Sequence, residues 1–334
     1  MRLRWLSATT LGTSTLLDNG LVAGINATSS SYSFNVQGAS GINPFRVASS
    51  TGTSLLSVLN NGEVEVLGQV ISKGLSWTNI TSYPVGNSSW SSITYGNGRF
   101  VAVGDNGTDL IMHSSDGINW ATTTAFGADD DWTSVTYGNG LFVAVASDGT
   151  DIVMTSPDGI NWTARSAVGN NDDWWDVTYG NGLFVAVGSS GDYVMTSPDG
   201  INWTARSAAG NNDYWTSITY GDGLFVAVGR SGDRVMTSPD GINWTARSAA
   251  GNDDWWSSVT YGNGLFVAVG SFGDRVMTSP DGINWTARSA TSDSWSGVTY
   301  GDGLFVAVSN YGSDSIMTSL MVSIGLSEIL MEMV

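Results

Sequence analysis

The sequence predicts an all-β protein: a six-bladed β-propeller of four-stranded repeats about 41 residues long, preceded by a small β-rich segment. Three observations predict it. The thirteen letters TSPDGINWTARSA run from Thr155 to Ala167 and return unchanged at Thr196–Ala208, Thr237–Ala249 and Thr278–Ala290. Their starts are 41 residues apart, a period typical of stacked-unit architectures. Each unit holds four short β-like runs separated by turn residues. The second run, Leu-Phe-Val-Ala-Val, is apolar throughout, as suits a strand buried on both faces.

The unit from Trp255 to Ala290 shows the four strands in order. The first strand carries Trp-x-x-Val-Thr-Tyr and ends in a Gly-Asn-Gly or Gly-Asp-Gly turn. The apolar strand follows. A Gly-Asp turn leads to the third strand, Arg-Val-Met-Thr-Ser, and Pro-Asp-Gly turns the chain into the fourth, Ile-Asn-Trp-Thr-Ala-Arg. Gly and Asp recur too often for a helix, and β-branched and aromatic residues fill the gaps. A lone blade would expose two apolar faces, so it needs a neighbour on each side.

Six first strands are marked by Trp90, Trp132, Trp174, Trp215, Trp256 and Trp295, each five residues before a Tyr. Six fourth strands are marked by Trp77, Trp120, Trp162, Trp203, Trp244 and Trp285. The first of these precedes every first strand, and the last blade lacks one of its own. The strand at residues 75–81 is therefore expected to complete the last blade and close the ring. The expected divisions are a fibre-like segment over 1–68, the propeller over 69–319 and a tail over 320–334.

The tail breaks the pattern. After Met317-Thr318-Ser319 the repeat calls for PDGINW, and the chain reads LMVSIG. Writing PDGINW as CCT GAT GGT ATC AAT TGG and deleting one C gives CTG ATG GTA TCA ATT GG, which encodes LMVSIG. A one-base deletion is the expected origin of the tail, which then has no designed place in the fold. The alternative architecture is a seven-bladed parent, truncated here.

Composition limits the function. The chain has 334 residues and is 41% hydrophobic, enough for a sizeable core. A formal net charge of −18 argues against nucleic acid, whose phosphates call for Lys and Arg, and against an anionic membrane surface. Lys73 is the only lysine, and there is no cysteine, so no disulfide forms. No run is long enough for a membrane-spanning helix, so membrane insertion is not expected.

The repeated Ser-Pro-Asp-Gly-Ile-Asn-Trp resembles a short form of the Asp box, Ser-x-Asp-x-Gly-x-x-Trp, of bacterial neuraminidase repeats. These occur in sialidase-like propellers and in propellers such as the photosystem II assembly factor. The resemblance spans roughly residues 70–319. It implies that Asp116, Asp158, Asp199, Asp240 and Asp281 are structural and lie away from an active face. The residues read the same way: Pro157 presets φ, Asp158 can accept from turn amides, and Gly159 can take positive φ. The resemblance also implies what a sialidase needs: an arginine triad, a Tyr nucleophile with its Glu, and an acid/base Asp. The early arginine motif is absent, with Phe45-Arg46-Val47 only an echo outside the blades, and residues 70–319 contain no glutamate. His113 is the single histidine and is expected to be a satisfied turn residue. The expectation is therefore no catalytic residues and no enzyme, with a degenerate glycosidase as the remote alternative.

In an up-and-down blade, the turns between second and third strands emerge on the same face as the loops joining blades. Those joining loops read GADDDW, GNNDDWW, GNNDYW, GNDDWW and TSDSW. Trp175, Tyr214 and Trp255 are extra aromatics beside the repeated Trp. With Arg165, Arg206, Arg247 and Arg288 they are the candidate ligand-binding residues, because ring faces cover sugar C–H groups while polar neighbours take hydroxyls. Asp130, Asp172, Asp173, Asp213, Asp253 and Asp254 are candidate Ca²⁺ ligands, since that hard cation wants several oxygens. The bland alternative is that Asp and Asn are good turn formers and the arginines neutralise them.

Residues 1–68 are rich in Ser, Gly and Asn, and LLSVLNNGEVEVLG reads as a hairpin. The phrase NPF-x-VASSTG resembles shaft modules of phage tail fibres and bacterial surface proteins. That resemblance implies trimerisation through this segment and an extracellular, cell-surface or virion location. The expected function is binding at such a surface with a glycan favoured as ligand; the alternative is a propeller that scaffolds a protein partner.

Overall fold

In the computed structural model the described residues are 89–324 and 328–333, apart from short stretches between strands, and before them five short strands. The chain divides into two compact units, Met1–Asn79 and Ile80–Val334.

The first unit contains β1 (Trp5–Ser7) paired with β2 (Thr10–Leu11), and an antiparallel sheet of β3 (Phe45–Ala48), β4 (Ser54–Val58) and β5 (Val64–Glu65). Val58 pairs with Val64 on either side of Asn60-Asn61-Gly62, where the sequence predicts a hairpin.

The second unit is six antiparallel four-stranded sheets, each formed by four consecutive strands. The first holds β6 (Ser89–Gly96), β7 (Arg99–Asp105), β8 (Ile111–Ser114) and β9 (Ala121–Thr123). The second holds β10 (Trp132–Gly138), β11 (Leu141–Ala146), β12 (Val153–Ser156) and β13 (Thr163–Arg165). The third holds β14 (Trp174–Gly180), β15 (Leu183–Gly188), β16 (Tyr193–Ser197) and β17 (Thr204–Ser207). The fourth holds β18 (Trp215–Gly221), β19 (Leu224–Gly229), β20 (Arg234–Ser238) and β21 (Thr245–Ser248). The fifth holds β22 (Trp256–Gly262), β23 (Leu265–Gly270), β24 (Val276–Ser279) and β25 (Thr286–Arg288). The sixth holds β26 (Ser294–Gly301), β27 (Leu304–Tyr311), β28 (Ile316–Ile324) and β29 (Glu328–Met333). This is the all-β, six-bladed propeller arrangement that the repeat predicts.

Local chemistry explains each hairpin. Asn139 and Gly140, between β10 and β11, have φ of 49° and 78°, and every blade repeats this backbone, with Asp222 and Asp302 in place of Asn in the fourth and sixth. Two successive left-handed residues suit the right-handed twist of the strands they join. The residue after the core Trp bulges out of register in each blade.

Blades join by unlike faces. Val143, Val145 and Val153 of the second sheet pack on Trp174, Val177, Phe184, Ala186, Met195 and Trp203 of the third. The same joint recurs between the third and fourth, fourth and fifth, and fifth and sixth sheets. Trp132, Trp174, Trp215, Trp256 and Trp295 are fully buried in these layers. A polar clasp ties the first strands together: Val135 N–H donates to Ser92 Oγ at 3.2 Å, Val259 N–H to Ser217 Oγ at 3.2 Å, and Val298 N–H to Ser258 Oγ at 3.2 Å.

Residues 75–81, expected to close the ring, lie outside the described residues. The outer position of the sixth sheet is held by β29, with Leu320 opposite Glu332 and Val322 opposite Leu330. The tail thus runs as an extension of β28 and its return strand, where the sequence reading gave it no place. Its residues at 320–324 and 328–333 are mainly apolar or β-branched, with Gly-Leu-Ser between, which is a pattern a hairpin accepts.

Candidate functional site

Backbone pairing beyond the ladders brings the blade-joining loops and the turns after the second strands to one face. Ser189 N–H donates to Asp173 O, Arg230 N–H to Tyr214 O, and Ser271 N–H to Trp255 O. Asp173, Tyr214 and Trp255 therefore occupy one slot in three successive blades, just before the core Trp. Trp175 stands in the slot just after it.

The extra aromatics that the sequence singled out come together here. The rings of Trp175 and Tyr214 lie 5.4 Å apart, tilted by 41°. The Arg230 guanidinium carbon is 5.6 Å from the Tyr214 ring centre and 6.0 Å from that of Trp255. An arginine thus bridges two aromatic faces by cation–π attraction. Trp175 Nε1 donates to Ser189 Oγ at 2.8 Å, and Ser189 Oγ donates to Asp173 Oδ2 at 3.4 Å. Burial raises the Tyr214 phenol above its ordinary value, against the Ser189 hydrogen bond and the Arg230 charge. Trp255 is 48% exposed at the end of the row.

Arg230 was missed in the sequence. The signal was present: it stands where the neighbouring blades have Ser189 and Ser271, and it shares a blade with Tyr214.

The four candidate arginines are held at the outer edge of their blades. Arg165 Nε donates to Thr155 Oγ1 at 2.9 Å, and Arg206, Arg247 and Arg288 donate to Thr196, Thr237 and Thr278 at 3.0 Å. Each reaches across from the fourth strand to the third. Of the candidate calcium ligands, Asp130, Asp172, Asp213, Asp253 and Asp254 lie outside the described residues; Asp173 belongs to the aromatic row. Among the described residues, no three His, Cys, Asp or Glu side chains gather as a metal cluster.

Asp116, Asp158, Asp199, Asp240 and Asp281 build their hairpins. Asp158 Oδ1 accepts from the N–H groups of Ile160 and Asn161 and from Ser156 Oγ, while Oδ2 accepts from Asn161 Nδ2. In Asp116, Asp199 and Asp240 the backbone N–H of the Asn three residues on is the main cause of a carboxyl held well below the usual range. In Asp158 and Asp281 burial is the largest influence and opposes the shift, but the hydrogen bonds together outweigh it. A depressed folded value gives stability that is present above the ordinary Asp range, near ~4, and is lost as pH falls through the folded value. Melting temperature should therefore fall steeply below about pH 4. Asp240→Asn should lessen that acid-dependent loss, as calorimetry from pH 5 down to about 2 would read.

His113 lies in β8 rather than in a turn, and Arg99 Nη1 donates to its Nδ1 at 3.0 Å. Burial first, and Arg99 second, lower its pKa. The acceptor Nδ1 places the neutral ring's proton on Nε2.

No family model and no curated protein matches the chain. Solved structures do resemble it. Selenomethionine-substituted virginiamycin B lyase from Staphylococcus aureus matches with a TM-score of 0.65 at 14% identity, over 77% of this chain and 86% of that one. A streptogramin B lyase structure matches at 0.61 and 12% identity, over 75% and 82%. YCF48 bound to D1 peptide matches at 0.54 and 16% identity, over 70% and 78%. At these identities the likeness shows the fold alone. It nevertheless corrects one expectation from sequence. The absent sialidase residues were read as excluding an enzyme, yet propellers of this shape include lyases. The missing residues exclude one chemistry, not catalysis by this fold.

Proposed function

We propose that the propeller is a binding module whose ligand, a carbohydrate, lies along Trp175, Tyr214, Arg230 and Trp255. The observation that carries this is Arg230 bridging the faces of Tyr214 and Trp255. It fixes a guanidinium donor beside a half-exposed indole, with Asp173 and Ser189 as polar neighbours. A pyranose stacked on Trp255 would meet donors and acceptors at its rim. The fibre-like wording of residues 1–68 supports display at a cell or virion surface, and the Asp boxes support kinship with sialidase-like propellers.

A second reading has its own support. Arg, Tyr and Trp are the residue types that dominate protein–protein contacts, and the similar YCF48 structure holds a peptide. A glycan array and a peptide array, both probed with the full chain in calcium and again in EDTA, separate the readings. Glycan signals expected under the proposal should weaken about tenfold in Trp255→Ala and in Arg230→Ala. Binding confined to the peptide array would replace the carbohydrate by a protein partner. Loss in EDTA would assign calcium to the Asp-rich loops.

A further inference from the structure

Five joints between neighbouring blades share one design, and the two end blades carry its unmatched halves. In each internal joint the Tyr of one blade lies against the first-strand Gly of the blade before. A Cβ on Gly96, Gly138, Gly180, Gly221 or Gly262 would sit 2.0–2.1 Å from the Cγ of that Tyr. A Cβ on Gly301 of the sixth blade would meet nothing within 4 Å among the described residues. The matching Tyr95 of the first blade is 58% exposed, as is its neighbour Ile93. On the sixth sheet, Val308 and Ile316 are 45% and 50% exposed, where Val269 and Val276 of the fifth are about 1% exposed. One end therefore presents the Tyr half of the joint and the other presents the Val half.

We propose that a second copy of this chain occupies this surface, its first sheet docking on the sixth sheet of the copy before it. The partner is chosen by complementarity the chain displays five times within itself: Tyr against Gly, and the Trp–Phe–Met face against the Val face. The contact is heterologous, so it propagates head to tail as a ring or a filament. It lacks one element. In the internal joints a Ser or Asp side chain accepts the Val or Ile N–H of the next blade, and Gly297 stands in that position on the sixth blade. The apolar faces alone hold this joint.

Light scattering across a wide concentration range tests it with the full chain. The mass of the unaltered protein should rise with concentration. Tyr95→Asp spoils one half and Val308→Asp the other, so each variant alone should stay monomeric. Their mixture should form a heterodimer and nothing larger, because one good half remains on each. Gly297→Ser restores the missing acceptor and should shift association to about fivefold lower concentration. Circular dichroism shows that each variant is folded. A monomer at every concentration would overturn the proposal, as would self-association that survives both Asp variants or a mixture that fails to pair.

Discussion

Gly221→Ala is expected to lower the melting temperature by roughly 5–10 °C. The new Cβ would stand 2.1 Å from Tyr261 Cγ and 2.6 Å from its Cβ, so the flexible end of the ring cannot move aside to make room. Overpacking of this kind costs about 1–3 kcal/mol or more, and a unit of this size loses about 2–4 °C per kcal/mol. Gly301→Ala is the matched control. It makes the same change at the same place in the repeat, where the new Cβ would meet nothing within 4 Å among the described residues. Its melting temperature at low concentration should stay within about 1 °C of the parent. Differential scanning fluorimetry on both variants reads the contrast. Equal losses would mean that Tyr95 covers Gly301 within one chain.

The second large effect is expected at Asp176. It stands where four of the other blades have Ser and the sixth has Gly297, and it is partly buried where three blades meet. Its carboxylate accepts from Ser134 Oγ at 2.7 Å, Val177 N–H at 2.8 Å, Ser217 Oγ at 2.9 Å and Ile218 N–H at 2.8 Å. Burial raises its pKa despite those four donors. The raised folded value makes Asp176 favour folding at low pH and cost stability as pH rises through that value. Asp176→Asn removes the charge and keeps one carbonyl acceptor for a Ser hydroxyl and a backbone N–H, while its amide can donate to the other Ser hydroxyl but faces the other backbone N–H. Its stability relative to the parent should be highest at neutral pH and should decline towards about pH 4, where the parent's carboxyl is protonated as well. Asp176→Ala leaves the Ser134, Ser217 and Ile218 donors unmatched and should lose about 2–4 kcal/mol. Urea unfolding at two pH values measures both. A difference between the Asn variant and the parent that does not change with pH would contradict the raised value.

The propeller was legible because its signal is redundant. Fixed-period Trp, turn Asn-Gly pairs and the apolar Leu-Phe-Val-Ala-Val strand each point to the same blade. The joints between blades were not legible. Gly221 reads as the start of a turn, and only the packing shows that Tyr261 of the next blade needs the space a side chain would fill. Asp176 reads as one more acidic residue in an Asp-rich chain, and the Ser134, Ser217 and Ile218 donors around it come from two neighbouring blades. At the candidate site, Trp175, Tyr214 and Trp255 stood out as departures from the repeat. Arg230 departs from it just as clearly, standing where the neighbouring blades have Ser189 and Ser271. The arginines at the fourth-strand ends looked like a charged rim, yet their Nε groups bind Thr hydroxyls within each sheet. Sequence gave their side of the blade but not the direction of the side chain.

The most direct test of the ligand row is a titration of a glycan taken from the array into the full chain and into three variants. Trp175→Ala and Trp255→Ala remove rings from the row, while Ile118→Ala trims an exposed side chain on a hairpin outside it. The row predicts affinity about tenfold weaker in both Trp variants and unchanged in Ile118→Ala. Equal affinity in all four proteins would contradict it and place the ligand elsewhere on the propeller.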